Sequence, residues 1–590
     1  MRLNESIFKK SFSYLFRFAF LISVLGIVLF VVDFGFDQSS EVQTYLNAFY
    51  FFIVVVGIFT TIVRYLTQRK TYKPKVLVFD AFSIAFTVFV LVAHFFGEEA
   101  SRHISFLYND TWVKVAIILT FIREFFELNI NFKRTYLNPA QLFILSFFGI
   151  ILLGSFLLML PKATYDGLSF VDALFTATSA VCVTGLIVVD TATYFTIFGQ
   201  TIIIVLIQIG GLGILTFASY FSYFFKGGTT YETQLTLTDM TGSNKIGEVF
   251  STLKRVIFIT FMIEFFAAIL IYFSLDPKLF ESFYERIYFS IFHSVSAFCN
   301  AGFSTLSNNL YESGYSTNYF LHLILIGCFV LGGLGFPIVV NLFNYVKYFI
   351  AKKMFFLTRK EQSSRPWVLN LNSRITLITT SILFVGGALL FYINEYDNTL
   401  AGLSGFGKVV TALFGGATPR TAGFNTVDMS ALHFSTIMMI FLLMWIGASP
   451  ASTGGGIKTN TFAIATLNFL SLAKGKSRIE VYRREVADIS VRRAFAVISL
   501  SLMVIGFAII GISYFDSEMS LLSIAFECFS AYSTVGLSIG LTAQLTSMSK
   551  LILVAVMFVG RVSMLTVMIA FVKKMKQKNY RYPVEEITIN

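Results

Sequence analysis

Charge, histidine, cysteine and tryptophan are all scarce in this chain. Only 13 % of its 590 residues are charged and 56 % are hydrophobic, where an ordinary soluble domain carries ~25 % charge. That balance excludes a soluble globular protein and defines a polytopic membrane protein. The four cysteines make no CxxC pair and no disulfide framework. Three of them (Cys182, Cys299, Cys528) read as small buried side chains. The five histidines (His94, His103, His293, His322, His433) fall in no H-E-x-x-H motif. A membrane enzyme needs a metal or nucleophile constellation, and none is visible, so the chain reads as a non-enzyme. It also has no phosphate loop, so no cofactor is expected in this chain.

What is abundant is apolar length. Candidate membrane segments cover 14–34, 44–64, 75–95, 111–129, 139–160, 198–224, 256–274, 319–346, 373–394, 434–470, 494–514 and 550–572. Most approach the ~20 apolar residues that cross a bilayer. Backbone hydrogen bonds must close internally there, so the segments are read as helices, and the fold class is all-α. The first reads as a membrane helix rather than a removable signal peptide, for lack of a small-x-small cleavage site.

The net charge of +12 sits in alternate loops, which argues against a nucleic-acid partner. Lys226, Lys245, Lys254 and Arg255 fall in one loop; Lys347, Lys352, Lys353, Arg359, Lys360, Arg365 and Arg374 fall in another. Lys474, Lys476, Arg478, Arg483, Arg484, Arg492 and Arg493 form a third group, and Lys573, Lys574, Lys576, Lys578 and Arg581 a basic tail. The positive-inside rule places these loops and the C-terminus in the cytoplasm.

Four short stretches repeat one another. They are SAVCVTGLIV around Gly185, SAFCNAGFST around Gly302, TPRTAGFNTV around Gly423 and SAYSTVGLSI around Gly536, at near-equal intervals of about 117 residues. Each follows a short apolar segment (about 170–180, 284–298, 407–417 and 519–531) and precedes a long one. The short segments cannot span a bilayer, so each unit reads as outer helix, re-entrant helix, Gly loop and inner helix. All four loops then enter from outside. Glycine reaches positive φ without a Cβ penalty, so four such loops can present rings of carbonyls that replace an ion's water shell. The expected potassium-coordinating residues are Val183, Thr184 and Gly185; Asn300, Ala301 and Gly302; Thr421, Ala422 and Gly423; and Thr534, Val535 and Gly536. The expected divisions are 1–135 (accessory helices), 136–225, 226–347, 348–472 and 473–590 (pore repeats one to four).

These residues resemble the Trk/Ktr/HKT superfamily of potassium transporters, over roughly three quarters of the chain from about 139 onward. Further matches are Ile209-Gly210-Gly211-Leu212-Gly213, Leu331-Gly332-Gly333-Leu334-Gly335, the run Gly447 to Lys458, Gly560-Arg561-Val562-Ser563-Met564-Leu565-Thr566, Arg483-Arg484-Glu485-Val486 and a Tyr-Pro-Val-Glu-Glu near the end. The Arg420-Thr421-Ala422-Gly423-Phe424 loop looks closer to the Ktr branch. The resemblance implies potassium uptake across the bacterial cytoplasmic membrane, a homodimer, and a cytosolic nucleotide-binding regulator-of-conductance subunit that would carry any nucleotide. Coupling to Na⁺ or H⁺ is open. The alternatives are a sodium-permeable or Na⁺/H⁺-coupled transporter of the same fold, and a non-conducting scaffold or receptor. A serine in place of Gly185 would suggest sodium; glycine speaks against it.

Two features carry an expected gate. Ala448-Ser449-Pro450-Ala451-Ser452-Thr453-Gly454-Gly455-Gly456 interrupts an apolar run with residues that cannot hold a straight helix; the resemblance implies a loop lying across the pore. Arg561 is a charge inside an apolar helix, read as a cation-repelling brake that also holds that loop, with a helix-packing salt bridge as the alternative. Lys458 is assigned to the same barrier. Arg420 is expected to tuck behind its loop, with Glu527 as one candidate partner; Asn300 and Thr421 can hydrogen-bond there; Glu264 and His293 read as structural. The segment 111–129 has only Lys114 and Arg123 as cations, beside Glu124 and Glu127, too few for a voltage sensor.

Overall fold

The structure is a computed structural model that describes residues 2–67, 74–96, 111–127, 139–212, 249–357, 369–571. Lys226, Lys245, Arg359, Lys360, Arg365, Gly213 and the basic tail lie outside the described residues. The regular secondary structure of the described residues is helical apart from one two-stranded hairpin, one isolated bridge and short 3₁₀ turns. It divides into two compact units, the first formed mainly by residues 1–132.

The first unit holds α1 (Arg2–Gly35), α2 (Ser40–Thr67), α3 (Pro74–Phe96) and α4 (Thr111–Glu127). Tyr50, Ile53, Val54, Val90, Ala116 and Ile117 form its core. Charges inside it are paired, as burial in an apolar medium demands. Arg64 Nη2 lies 2.7 Å from Glu124, and Lys114 Nζ 2.9 Å from Asp33. Arg123 is also beside Glu124, at 3.9 Å.

The second unit repeats one plan four times. The outer helices are α5 (Pro139–Leu158), α8 (Val249–Ser274), α12 (Leu371–Glu395) and α16 (Asp488–Phe515). The short helices are α6 (Phe170–Cys182), α9 (Phe283–Cys299), α13 (Gly405–Ala417) and α17 (Leu521–Ser533). The inner helices begin with α7 (Ile197–Gly211), α10 (Tyr319–Leu334), α14 (Phe434–Trp445) and α18 (Ser547–Val562). The short helices have 13 to 17 residues, below the ~20 needed to span. Every one starts at a serine whose hydroxyl accepts a backbone N–H of its first turn: Ser169 from Asp172, Ser282 from Glu285, Ser404 from Gly407 and Ser520 from Ser523. Such a cap is worth ~1 kcal/mol. The outer helices carry bare phenylalanines, with Phe258, Phe265 and Phe273 more than 60 % exposed on α8. In a molecule with this composition, that surface faces lipid.

The inner helices depart from the straight spans expected for units two and four. α10 ends at Gly335, which has φ +82°, and α11 (Phe336–Leu357) leaves at 109°. α18 ends at Ser563, φ +73°, before α19 (Met564–Phe571). Left-handed residues stop the i→i−4 ladder while the hydrophobic run continues, so hydropathy does not register the break. The third inner helix is broken as expected: Ile446 to Lys458 separate α14 from α15 (Thr459–Ala473). Between α15 and α16 lies the hairpin β1 (Glu480–Val481) and β2 (Arg484–Glu485).

Candidate functional site: four glycine loops and a crossing segment

Each short helix hands over to its Gly loop in the same way. Val183, Asn300 and Thr534 cap α6, α9 and α17 in the left-handed region, and Thr421 follows α13 at φ +74°. Two residues later come Gly185, Gly302, Gly423 and Gly536, with φ between +70° and +92°. This alternation re-aims successive carbonyls and bars a β-carbon at the second position. The caps close a doubled turn: Thr184, Ala301 and Val535 N–H donate to the carbonyls of Ser179, Ser296 and Ser530 at 2.7, 2.7 and 2.9 Å.

The glycines also show how the loops meet. A β-carbon on Gly185 would overlap the carbonyl oxygen of Ala301. One on Gly302 would lie 2.8 Å from Gly423 Cα, one on Gly423 would strike the Val535 carbonyl, and one on Gly536 the Thr184 carbonyl. Loop one therefore abuts loop two, two abuts three, three abuts four, and four returns to one. All twelve residues singled out in sequence lie on this closed ring of backbone; all are buried except Gly536, which is partly exposed. Side chains point behind it: the Asn300 amide and the Thr421 hydroxyl are 3.2 Å apart.

A layer of hydroxyls behind the ring was not singled out in sequence. Ser179 and Ser530 accept the Gly185 and Gly536 N–H at 3.1 Å each. Ser296 and Thr418 donate to the Phe303 and Phe424 carbonyls at 2.7 and 2.5 Å. The signal was present as a serine six residues before the glycine in three repeats. Inner-helix glycines bring their helices onto the feet of the short ones. A β-carbon on Gly210, Gly332 or Gly560 would overlap the carbonyl of Val181, Phe298 or Tyr532 respectively.

The segment 446–458 lies against repeats two, three and four, and Arg561 links it to repeat one. Ile446 and Ile457 bridge in parallel and close its base. Ser449 N–H donates to Gly333 O at 2.9 Å, Thr453 N–H to Gly332 O at 3.4 Å, and Phe336 N–H to Ala451 O at 3.3 Å. Gly455 N–H donates to the Thr534 hydroxyl at 2.8 Å. Gly454 faces the Thr421 hydroxyl in a place too tight for a side chain, and Gly456, at φ +69°, faces Ser533. Pro450 O fills the space left by Gly335, and Ser452 bonds Ser449 O at 2.6 Å. Ala448 O accepts from Thr459 N–H at 3.2 Å. Lys458 turns back onto the segment's own carbonyls, Gly454 O at 2.5 Å and Gly455 O at 3.4 Å. Arg561 donates to Thr453 O and, at 2.6 Å, to Gly210 O. Its recorded partners are backbone carbonyls, not the carboxylate of a packing salt bridge.

Arg420 is placed differently from the suggested pairing. It donates to Thr380 O and Oγ1 on α12 at 3.3 and 3.4 Å. Glu527 instead accepts from Ser538 at 2.5 Å and Thr542 at 2.8 Å, tying the segment after loop four to α17. His293 bonds Phe289 O and Ser304 at 3.0 and 2.9 Å, and the cysteines are buried and free. No His/Cys/Asp/Glu group able to hold a metal ion occurs among the described residues.

Fold and site together define a multi-pass α-helical membrane protein in which four re-entrant repeats close one ring. A profile of the TrkH family, described as cation transport protein, matches residues 134–582. The chain is 36 % identical over 452 residues to the Ktr system potassium uptake protein B of Bacillus subtilis, covering 76 % of this chain and 96 % of the relative. It is 34 % identical over 464 residues to the potassium/sodium uptake protein NtpJ of Enterococcus hirae, covering 77 % and 98 %. The crystal structure of the potassium transporter TrkH from Vibrio parahaemolyticus shares its fold, with TM-score 0.60, 18 % identity and coverage of 84 % and 97 %. The chain belongs to the TrkH cation transport family, as a membrane subunit of the Trk/Ktr type.

Proposed function

We propose that the protein takes up potassium ions through the ring of Gly loops, and that the 446–458 segment with Arg561 gates the path beneath it. The observation that carries this reading is the cyclic contact of the four glycines with the next loop's backbone. It leaves carbonyls as the groups available to replace an ion's hydration. The short helices point their C-terminal ends toward the ring, and each such end carries roughly half a negative charge, which favours a dehydrated cation. Potassium releases its water more readily than sodium. The coordinating residues are the twelve named above, with K⁺ as cargo.

Below the ring, Ala448 to Gly456 crosses the path and Arg561 pins it at Thr453. A guanidinium at membrane depth costs ~2.5–3.5 kcal/mol on insertion scales. Binding two carbonyls offsets that cost, and its charge repels a descending cation. Lys458 adds a second positive charge at the same level. Opening requires the segment to leave Arg561 and Thr534.

The names of the relatives, potassium uptake and potassium/sodium uptake, support this cargo. The glycine at 185 favours potassium over sodium. A Ktr system name also fits a membrane subunit that works with others. We assign it a homodimeric form in the bacterial cytoplasmic membrane, C-terminus inside. A cytosolic nucleotide-binding subunit would dock on the basic loops. The test is rubidium and sodium uptake in a bacterial strain lacking potassium uptake, with and without a cognate cytosolic subunit. Rubidium uptake with potassium-dependent growth supports the reading; sodium uptake without rubidium overturns the cargo, and no flux overturns the pore.

A further inference from the structure

The last turn of α7 is held from two sides. Gln208 donates from Nε2 to both carboxylate oxygens of Glu264, at 3.1 and 3.2 Å. Glu264 stands in the middle of α8 and is 5 % exposed. The Cys299 thiol, at the foot of α9, lies 3.7 Å from Glu264 Oε1 and 3.8 Å from Gln208 Oε1. Gly211 has no room for a side chain because Cys299 fills the place. Two residues along from Gln208, the Gly210 carbonyl receives Arg561, whose other nitrogen holds Thr453. Ser294 in turn donates to the Glu264 backbone carbonyl at 2.5 Å, fixing α8 to α9. An unbroken line of hydrogen bonds and covalent backbone thus runs from the outer helix of unit two to the crossing segment.

Packing alone does not call for a carboxylate here. An acid at membrane depth is costly, and an apolar side chain would fill the same space. What the acid adds is direction: it fixes the Gln208 amide, and with it the carbonyl two residues on.

We propose that Glu264 is a positioning residue for Arg561: by fixing the last turn of α7 it sets the Gly210 carbonyl that shares the guanidinium with Thr453. The outer helix α8 is thereby a lever on the gate. This rests on the pore reading above. Loss of the carboxylate lets Gly210 drift, Arg561 loses one of its two holds, and the segment releases more often. A conservative amide keeps the bracket through an amide–amide bond.

The test is a double-mutant cycle on purified full-length protein in proteoliposomes, measured as potassium flux. The proteins are wild type, Glu264→Ala, Glu264→Gln, Arg561→Ala and Glu264→Ala/Arg561→Ala. Glu264→Ala should raise flux about fivefold, the weight of one ordinary net hydrogen bond. Glu264→Gln should stay within about twofold of wild type, and the double variant should match Arg561→Ala alone. Gln208→Met, which breaks the bracket from the other side, should repeat the Glu264→Ala result if that variant folds poorly. Independent, multiplying effects of Glu264→Ala and Arg561→Ala would overturn the coupling, as would wild-type flux in Glu264→Ala. Either can occur while Arg561→Ala still raises flux, which leaves the pore reading intact; absence of flux in every protein overturns the pore reading itself.

Discussion

Replacing Gly302 by alanine tests the ring where loop two meets loop three carbon to carbon. The new β-carbon would lie 2.8 Å from Gly423 Cα and 3.0 Å from the Ala422 carbonyl oxygen. Carbon atoms prefer ~3.5–4.0 Å, so loops two and three must part by about 0.7–1.2 Å. The residue also keeps φ +70°, which costs an L-residue roughly 1–2 kcal/mol. A ring opened by that much holds a dehydrated potassium ion less closely on one side and admits hydrated sodium more readily. The rubidium-to-sodium flux ratio should fall about tenfold, equivalent to ~1.4 kcal/mol of discrimination. Gly475→Ala is the control. Its φ is +65° and nothing lies within 4 Å of its β-carbon, so the backbone strain is matched without a ring neighbour. The assay is isotope flux in proteoliposomes with protein content matched. An unchanged ratio in correctly folded Gly302→Ala protein would refute the argument that backbone spacing sets selectivity.

Two further perturbations follow from the same geometry. Thr534→Val removes the hydroxyl that accepts the Gly455 N–H; the crossing segment should loosen, and basal flux should rise about fivefold, read without any regulatory subunit. Lys550 pairs with Asp172 at 2.7 Å across units four and one; Lys550→Met should lower thermal stability by ~1 kcal/mol, and a Lys550→Asp/Asp172→Lys exchange should restore part of it in a melting assay.

How much of this could be read from the chain differs by element. The four Gly loops and their short helices were legible because a repeated motif carries its own internal control. The gap in the third inner helix was legible because Pro450 and three consecutive glycines contradict an apolar helix. The breaks at Gly335 and Ser563 were not. Hydropathy measures burial in lipid and is blind to direction, and Ser563 takes a left-handed φ that its residue type does not announce. The serine caps could have been found by reading backward from each short helix. Charge alone offers Glu527 as one candidate partner for Arg420, whereas Thr380 supplies carbonyl and hydroxyl acceptors. No sequence pattern fixes the register between helices so far apart. The Gln208–Glu264 bracket is not legible for the same reason: 56 residues separate its partners, and only packing brings them together.

The most direct measurement of the central claim is rubidium and sodium flux through purified wild-type and Gly185→Ser protein in proteoliposomes, under an imposed membrane potential. A serine at φ +92° would press its β-carbon on the Ala301 carbonyl. The account predicts rubidium flux well above sodium flux in the wild type, and a marked loss of that preference with serine. Equal preference in the two proteins, or sodium flux without rubidium in the wild type, would contradict it.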